Sequence, residues 1–157
     1  MKNPVMFSLV LLMSACATSG TGKYVEPTPS QDQATIVIFR EKGFTGSFDD
    51  HNYYVNGERV AALGTHTYTS IQVNPGRIIV RWSQRVDPKP PYSQSKPIEF
   101  DAVGGTTYYY KEGITTTMFI PLIATKMKLT FGLVEPEAAK QELVTYTYVK
   151  PLVSGKF

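Results

Sequence analysis

The dipeptide Asn56-Gly57, set between Tyr53-Tyr54-Val55 and Arg59-Val60-Ala61-Ala62-Leu63, limits the fold more than any other feature of the chain. Both residues tolerate positive φ, which a two-residue type I′ turn demands, so the flanking β-formers are predicted to close into a tight hairpin. Other stretches repeat the pattern with different punctuation. Ala34-Thr35-Ile36-Val37-Ile38-Phe39-Arg40 is apolar on both faces and β-branched, which predicts a central strand buried from two sides. The stretch from Glu41 to Asp50, with Gly43 and Gly46, is predicted to turn on the surface. In Tyr68 to Val73, Thr69, Ile71 and Val73 alternate with polar neighbours, and Asn74-Pro75-Gly76 is predicted to turn this strand into a second hairpin with Arg77-Ile78-Ile79-Val80-Arg81-Trp82.

Asp87-Pro88-Lys89-Pro90-Pro91 cannot lie inside a sheet, because proline has no donor for the ladder, and is predicted as an exposed crossing loop. Ile98, Phe100 and Ala102 alternate with acids, Gly104-Gly105 turns, and Thr106 to Lys111 continues as an aromatic strand. Met127, Leu129, Phe131 and Leu133 predict a half-buried strand with one face in solvent. Only Pro136 to Leu143 reads as helix, with Pro136 at a first helical position. About seven or eight short strands with one short C-terminal helix predict an all-β fold, an antiparallel β-sandwich. A length of 157 residues suits one such domain.

The N-terminus has a different character. Lys2 and Pro4 lead into an apolar run from Val5 to Met13, too short for a stable membrane span, which needs roughly 20 residues. Leu12-Met13-Ser14-Ala15-Cys16 then resembles the lipobox of bacterial lipoproteins, with Met13 where that family has leucine. Cys16 is the only cysteine, and an unpaired one in an exported chain is a buried thiol, an intermolecular bridge, a nucleophile or a modified residue. The lipobox resemblance selects the last. It implies S-diacylglycerol and N-acyl groups on Cys16, with cleavage after Ala15 and no further cofactor. Ala17, in place of the aspartate that keeps lipoproteins of enteric-type bacteria in the inner membrane, points to the outer membrane with the domain facing the periplasm; the inner membrane and the cell surface stay open. The domain expectation is therefore residues 1–15 as signal peptide, 16–33 as lipidated cysteine and flexible tether, 34–149 as the β-sandwich and 150–157 as a tail. A free coil of the tether's length would hold the domain on the order of 20 to 25 Å from the bilayer on average.

From Ala34 to about Val144 the chain is similar to the DUF2846 family of bacterial lipoproteins, whose domain has no assigned activity. The residues that carry this are Ala34 to Arg40, Tyr54-Val55-Asn56-Gly57-Glu58-Arg59-Val60, Val73-Asn74-Pro75-Gly76-Arg77 and Gly105-Thr106-Thr107-Tyr108-Tyr109-Tyr110. The middle two also resemble PEGA-type surface modules. The resemblance implies a fold and carries over no catalytic residue.

Among chemical groupings, Asp49-Asp50-His51 with His66 is the one set suited to metal binding or acid-base work, but two ligands make no site, and a surface loop that caps and turns is the simpler reading. No G-x-S-x-G elbow supports serine hydrolysis. Tyr53, Tyr54, Tyr68, Tyr92, Tyr108, Tyr109, Tyr110 and Trp82 suit either cross-strand packing or a sugar-stacking surface for peptidoglycan or lipopolysaccharide, and strand alternation predicts Tyr109 outward if Tyr108 and Tyr110 face in. Met118 to Ala124, an uncharged run with Pro121, either covers a sandwich edge or exposes Phe119 and Ile120 as a docking patch. Sixteen Lys and Arg against thirteen Asp and Glu are scattered along the chain, so nucleic acid is not expected as a partner, nor is a metal. The expectation is a membrane-anchored, non-enzymatic lipoprotein that presents its β-sandwich for protein contacts in the cell envelope, with an envelope protein as partner. A sugar-binding module is second and a hydrolase a distant third.

Overall fold

The computed structural model of the chain describes residues 24–28, 30–43, 49–86, 95–117 and 126–153, without the side chains of residues 114–117 and 126–128. Strand β1 (Ala34–Arg40) is wholly buried. Around it lie β2 (His51–Val55), β3 (Glu58–Leu63), β4 (Thr67–Val73), β5 (Gly76–Ser83), β6 (Ile98–Ala102), β7 (Thr107–Thr117), β8 (Lys126–Val134), α1 (Pro136–Leu143) and the two-residue β9 (Thr147–Tyr148). They form a five-stranded sheet in the order β8-β7-β1-β4-β9 and a four-stranded sheet in the order β3-β2-β5-β6. The all-β sandwich with one short C-terminal helix is thus the observed fold.

β1 shows why an apolar run on both faces is stable here. Ile36 and Ile38 meet Tyr53, Val55, Val80 and Trp82 between the sheets. Val37 and Phe39, on the opposite face, pack under Ala139 and Leu143 of α1 together with Tyr68 and Tyr146. The helix therefore closes the outer side of the five-stranded sheet. Pro136 occupies its first turn, as the missing proline N–H permits, and Glu137 and Lys140 complement its dipole at either end.

The β2–β3 hairpin forms as predicted, with φ of 49° at Asn56 and 87° at Gly57. The second predicted hairpin does not. β4 pairs with β1 and β9, whereas β5 pairs with β2 and β6, so Asn74-Pro75-Gly76 carries the chain from one sheet across to the other. A turn signal marks a reversal; it leaves open whether the two strands share hydrogen bonds or face each other. Pro75 has no N–H to donate, and Gly76, at φ 124°, swings the chain into the second layer. Gly104-Gly105 makes a similar crossing from β6 to β7. The crossing from β6 leaves β7 parallel to β1, and the connection through α1 leaves β9 parallel to β4, in an otherwise antiparallel structure.

Both predicted ends of the domain shift outward. At the start, Gln33 is buried, and the Gly105 N–H donates to the carbonyls of Ser30 (3.2 Å) and Gln33 (2.9 Å). At the end, the Leu152 N–H donates to the Val60 carbonyl at 2.8 Å and Val153 packs on the inter-sheet core, so part of the predicted tail lies along β3.

Candidate functional site

Strand alternation brings three polar residues into the sandwich interior at one end. Ala34, Ile36 and Ile38 point inward, so Arg40 does too; the same count along β7 turns Glu112 inward after Tyr110, and on β2 it turns His51 in beside Tyr53. Parallel pairing sets Arg40 directly opposite Glu112. All three residues are buried, at 3% exposure for Arg40 and 2% for His51 and Glu112.

The contacts form a connected network. His51 Nδ1 lies 2.5 Å from Glu112 Oε1, and Arg40 NH2 lies 3.2 Å from His51 Nε2. A guanidinium only donates, so the Arg40 bond uses His51 Nε2 as its acceptor and leaves Nδ1 to face the Glu112 carboxyl. The Tyr53 hydroxyl donates to the other Glu112 oxygen. Arg40 Nε stands 3.7 Å from Glu112 Oε1, and its NH1 donates to the Asp49 carbonyl at 2.8 Å and to the Leu63 carbonyl at 3.0 Å. Trp82 stacks on the His51 ring at 4.8 Å and 4°. Burial, then the Glu112 charge and the bond to it, push the Tyr53 hydroxyl well above the ordinary tyrosine value, so it stays protonated.

A histidine held by a carboxylate is the core of many general bases, but such a base must present its other nitrogen to a substrate. Here Arg40 occupies that nitrogen and Trp82 covers the ring. This set clasps β1, β2 and β7 together. Asp49 enters only through its carbonyl, and Asp49 and Asp50 are exposed while His51 is buried, so the triplet does not act as one unit. His66 is elsewhere engaged, in the β3–β4 turn at φ 62° with its ring 4.3 Å from that of Tyr146. Among the described residues no three His, Cys, Asp or Glu side chains are placed to hold a metal ion.

Of the two readings of the tyrosines, the structure shows packing in the interior. Tyr53, Tyr54, Tyr68, Tyr109, Tyr110 and Trp82 are all buried, Tyr108 is half-buried, and Tyr92 lies outside the described residues. Tyr109 does face away from the inter-sheet core, as alternation requires, yet only 1% of it is exposed. The outer face of its sheet is covered by α1 and by Tyr24, whose hydroxyl lies 3.1 Å from the Tyr109 hydroxyl. Tyr109 is therefore a core residue and not an accessible ligand contact.

Tyr24 belongs to the segment read as flexible tether. Its ring meets Tyr68 edge-on at 5.4 Å, and Glu26 forms an ion pair with Lys140 of α1 at 2.9 Å. Burial, followed by the bond to Tyr109, raises the Tyr24 hydroxyl above its ordinary ionisation range. Tyr24 and Glu26 therefore lie against the domain, where the Tyr24 ring packs among the tyrosines of β4 and β7. Cys16, and Phe119 and Ile120 with the rest of Met118 to Ala124, lie outside the described residues, as do the proline-rich loop and the core of the Glu41 to Asp50 turn.

No family model, curated protein or solved structure matches the chain. The site is thus read from its own geometry. On the accessible surface, the most apolar feature of β8 is the exposure of Leu129 (39%) and Leu133 (63%), which flank the half-buried Phe131 on one side of that strand. Shallow grooves of about 350 and 340 Å³ lie on either side of Phe131, one reaching Glu41 and Lys111, the other Trp82 and Ile98. Among the described residues no helix is long and apolar enough to cross a membrane.

Proposed function

We propose that this chain is a lipid-anchored bacterial envelope protein, related to the DUF2846 lipoproteins, whose sandwich works as a non-catalytic module for protein contacts at the periplasmic face of the outer membrane. The observation that carries the anchor is Leu12-Met13-Ser14-Ala15-Cys16 directly after an apolar run, with Cys16 the single cysteine of the chain. Two or three acyl chains, at about 0.8 kcal/mol per buried methylene, give a durable attachment. The contact role draws support from two features. The buried His51 bonds Glu112 and Arg40 while Glu112 also accepts from the Tyr53 hydroxyl, and β8 displays Leu129 and Leu133 beside Phe131. A sugar-stacking role has less to build on, since the aromatic rings it would use are largely interior.

Fractionation of cells expressing Cys16→Ala tests the anchor. The variant should move from the membrane to the soluble fraction; retention in the membrane would refute the proposal. For the contact surface, Leu129→Ser with Leu133→Ser should reduce in-cell crosslinks to envelope proteins while the melting temperature holds. An unchanged crosslink pattern would remove β8 from the contact surface.

A further inference from the structure

We infer that the described residues 24–28 and 30–33 act as a strap that orients the domain, so that α1 and the outer face of the five-stranded sheet look toward the lipid bilayer and the four-stranded sheet looks away. This rests on the reading of Cys16 as the lipid-bearing residue and adds an orientation to it.

The strap is held at several independent points. Tyr24 is fixed by its ring against Tyr68 and its hydroxyl against Tyr109. Glu26 pairs with Lys140, and the Ser30 carbonyl accepts from the Gln33 and Gly105 N–H groups. Gly104 leaves the room this path needs, because a Cβ there would collide with the Gln31 carbonyl. Lys140 is held above its ordinary ionisation range by its bonds to Glu26 and then Glu137.

Chain length then decides orientation. Cys16 and Tyr24 are eight residues apart. Whatever the path of the intervening residues, eight steps of extended chain reach no more than about 28 Å, and a flexible coil of that length averages about 16 Å. A domain of this size is about 35 Å across, and the path around its surface to the far side is about 55 Å. The anchor point therefore cannot reach past the edge of the sandwich. Were the chain free back to Ala34, eighteen residues from Cys16, its reach of about 62 Å would allow every orientation. Docking of Tyr24 removes that freedom without any attraction between domain and lipid. The face left pointing outward carries Arg77, Glu99 and Asp101, exposed on β5 and β6.

The test uses the full mature lipoprotein in vesicles of phosphatidylethanolamine and phosphatidylglycerol that contain a little head-group acceptor dye. A donor dye is placed on Gln141→Cys, exposed on α1, or on Asp101→Cys, exposed on the far sheet. Acylated Cys16 has no free thiol, so each variant takes one dye. Energy transfer from position 141 should exceed that from position 101 several-fold, and Tyr24→Ser with Glu26→Gln should abolish the difference. Equal transfer from both positions in the otherwise unaltered protein would overturn the orientation, and a difference that survives the double substitution would overturn the strap. Intact mass of each sample separates the two readings: acyl groups present with equal transfer sinks only the orientation, while a chain without acyl groups sinks both.

Discussion

Arg40, His51 and Glu112 form the least tolerant spot in the molecule, because a buried charge without its partner costs far more than the pair contributes. Glu112→Ala leaves an imidazole N–H and the Tyr53 hydroxyl without their acceptor and the buried Arg40 guanidinium without its counter-charge, and is expected to destabilise the fold by about 3–5 kcal/mol in urea denaturation at pH 7. A loss below 1 kcal/mol would mean that water already satisfies these groups. His51 drew attention in the sequence for the wrong neighbours. Asp49 and Asp50 are next to it in the chain, whereas its partner stands 61 positions away. The signal that finds the partner is a charged residue at an inward position of an apolar alternation, as Arg40 is after Ile36 and Ile38, and Glu112 after Tyr108 and Tyr110. Gly57 gives a smaller residue-scale effect. A Cβ there meets no atom within 4 Å, so Gly57→Ala should cost only the strain of its φ of 87°, about 1–2 kcal/mol by thermal melting. A cost near zero would deny that the turn holds this geometry.

Strands and helix were legible where the cause is local. The I′ turn follows from Asn56-Gly57 and the helix start from Pro136. The double-sided burial of β1 follows from its unbroken apolar run. The crossing after β4 was not legible, since Asn74-Pro75-Gly76 signals the same reversal whether the strands pair or part. Which layer each strand joins depends on nonlocal pairing, such as β1 with β7, and no window of sequence contains that. The helix and the edge strand should respond oppositely to truncation. Leu143→Ala empties a fully buried position under α1 and is expected to cost about 2–5 kcal/mol. Leu133→Ser on β8 starts from 63% exposure and should stay within about 0.5 kcal/mol of the parent. Equal losses would show that β8 is more deeply covered than its exposure indicates.

For the molecule as a whole, alkaline pH gives the clearest collective prediction. Burial is the first cause that raises Tyr24, Tyr53, Tyr110 and Tyr146 above the ordinary 10.0. A proton held more tightly in the folded state adds stability that is fully present below pH 10.0 and is lost as pH rises past it, because the unfolded chain sheds the proton first. The urea midpoint should be level up to about pH 9 and then fall, and phenolate absorbance should lag and appear together with loss of the β-sheet signal. Free titration of all tyrosines near 10.0 in the folded protein would contradict this packing. At the same scale, the proposed anchor rests on local sequence words alone, an apolar run and the pentapeptide that ends at Cys16. The docked strap was not legible, because a lone tyrosine in a stretch rich in Ser, Thr, Gly and Pro gives no sign of the rings waiting on β4 and β7.

Intact mass measurement of the mature protein extracted from membranes bears most directly on the whole account. It should find a chain that begins at Cys16 and carries diacylglycerol with an added N-acyl group. A free thiol at Cys16, or a mature chain that starts downstream of it, would contradict the account.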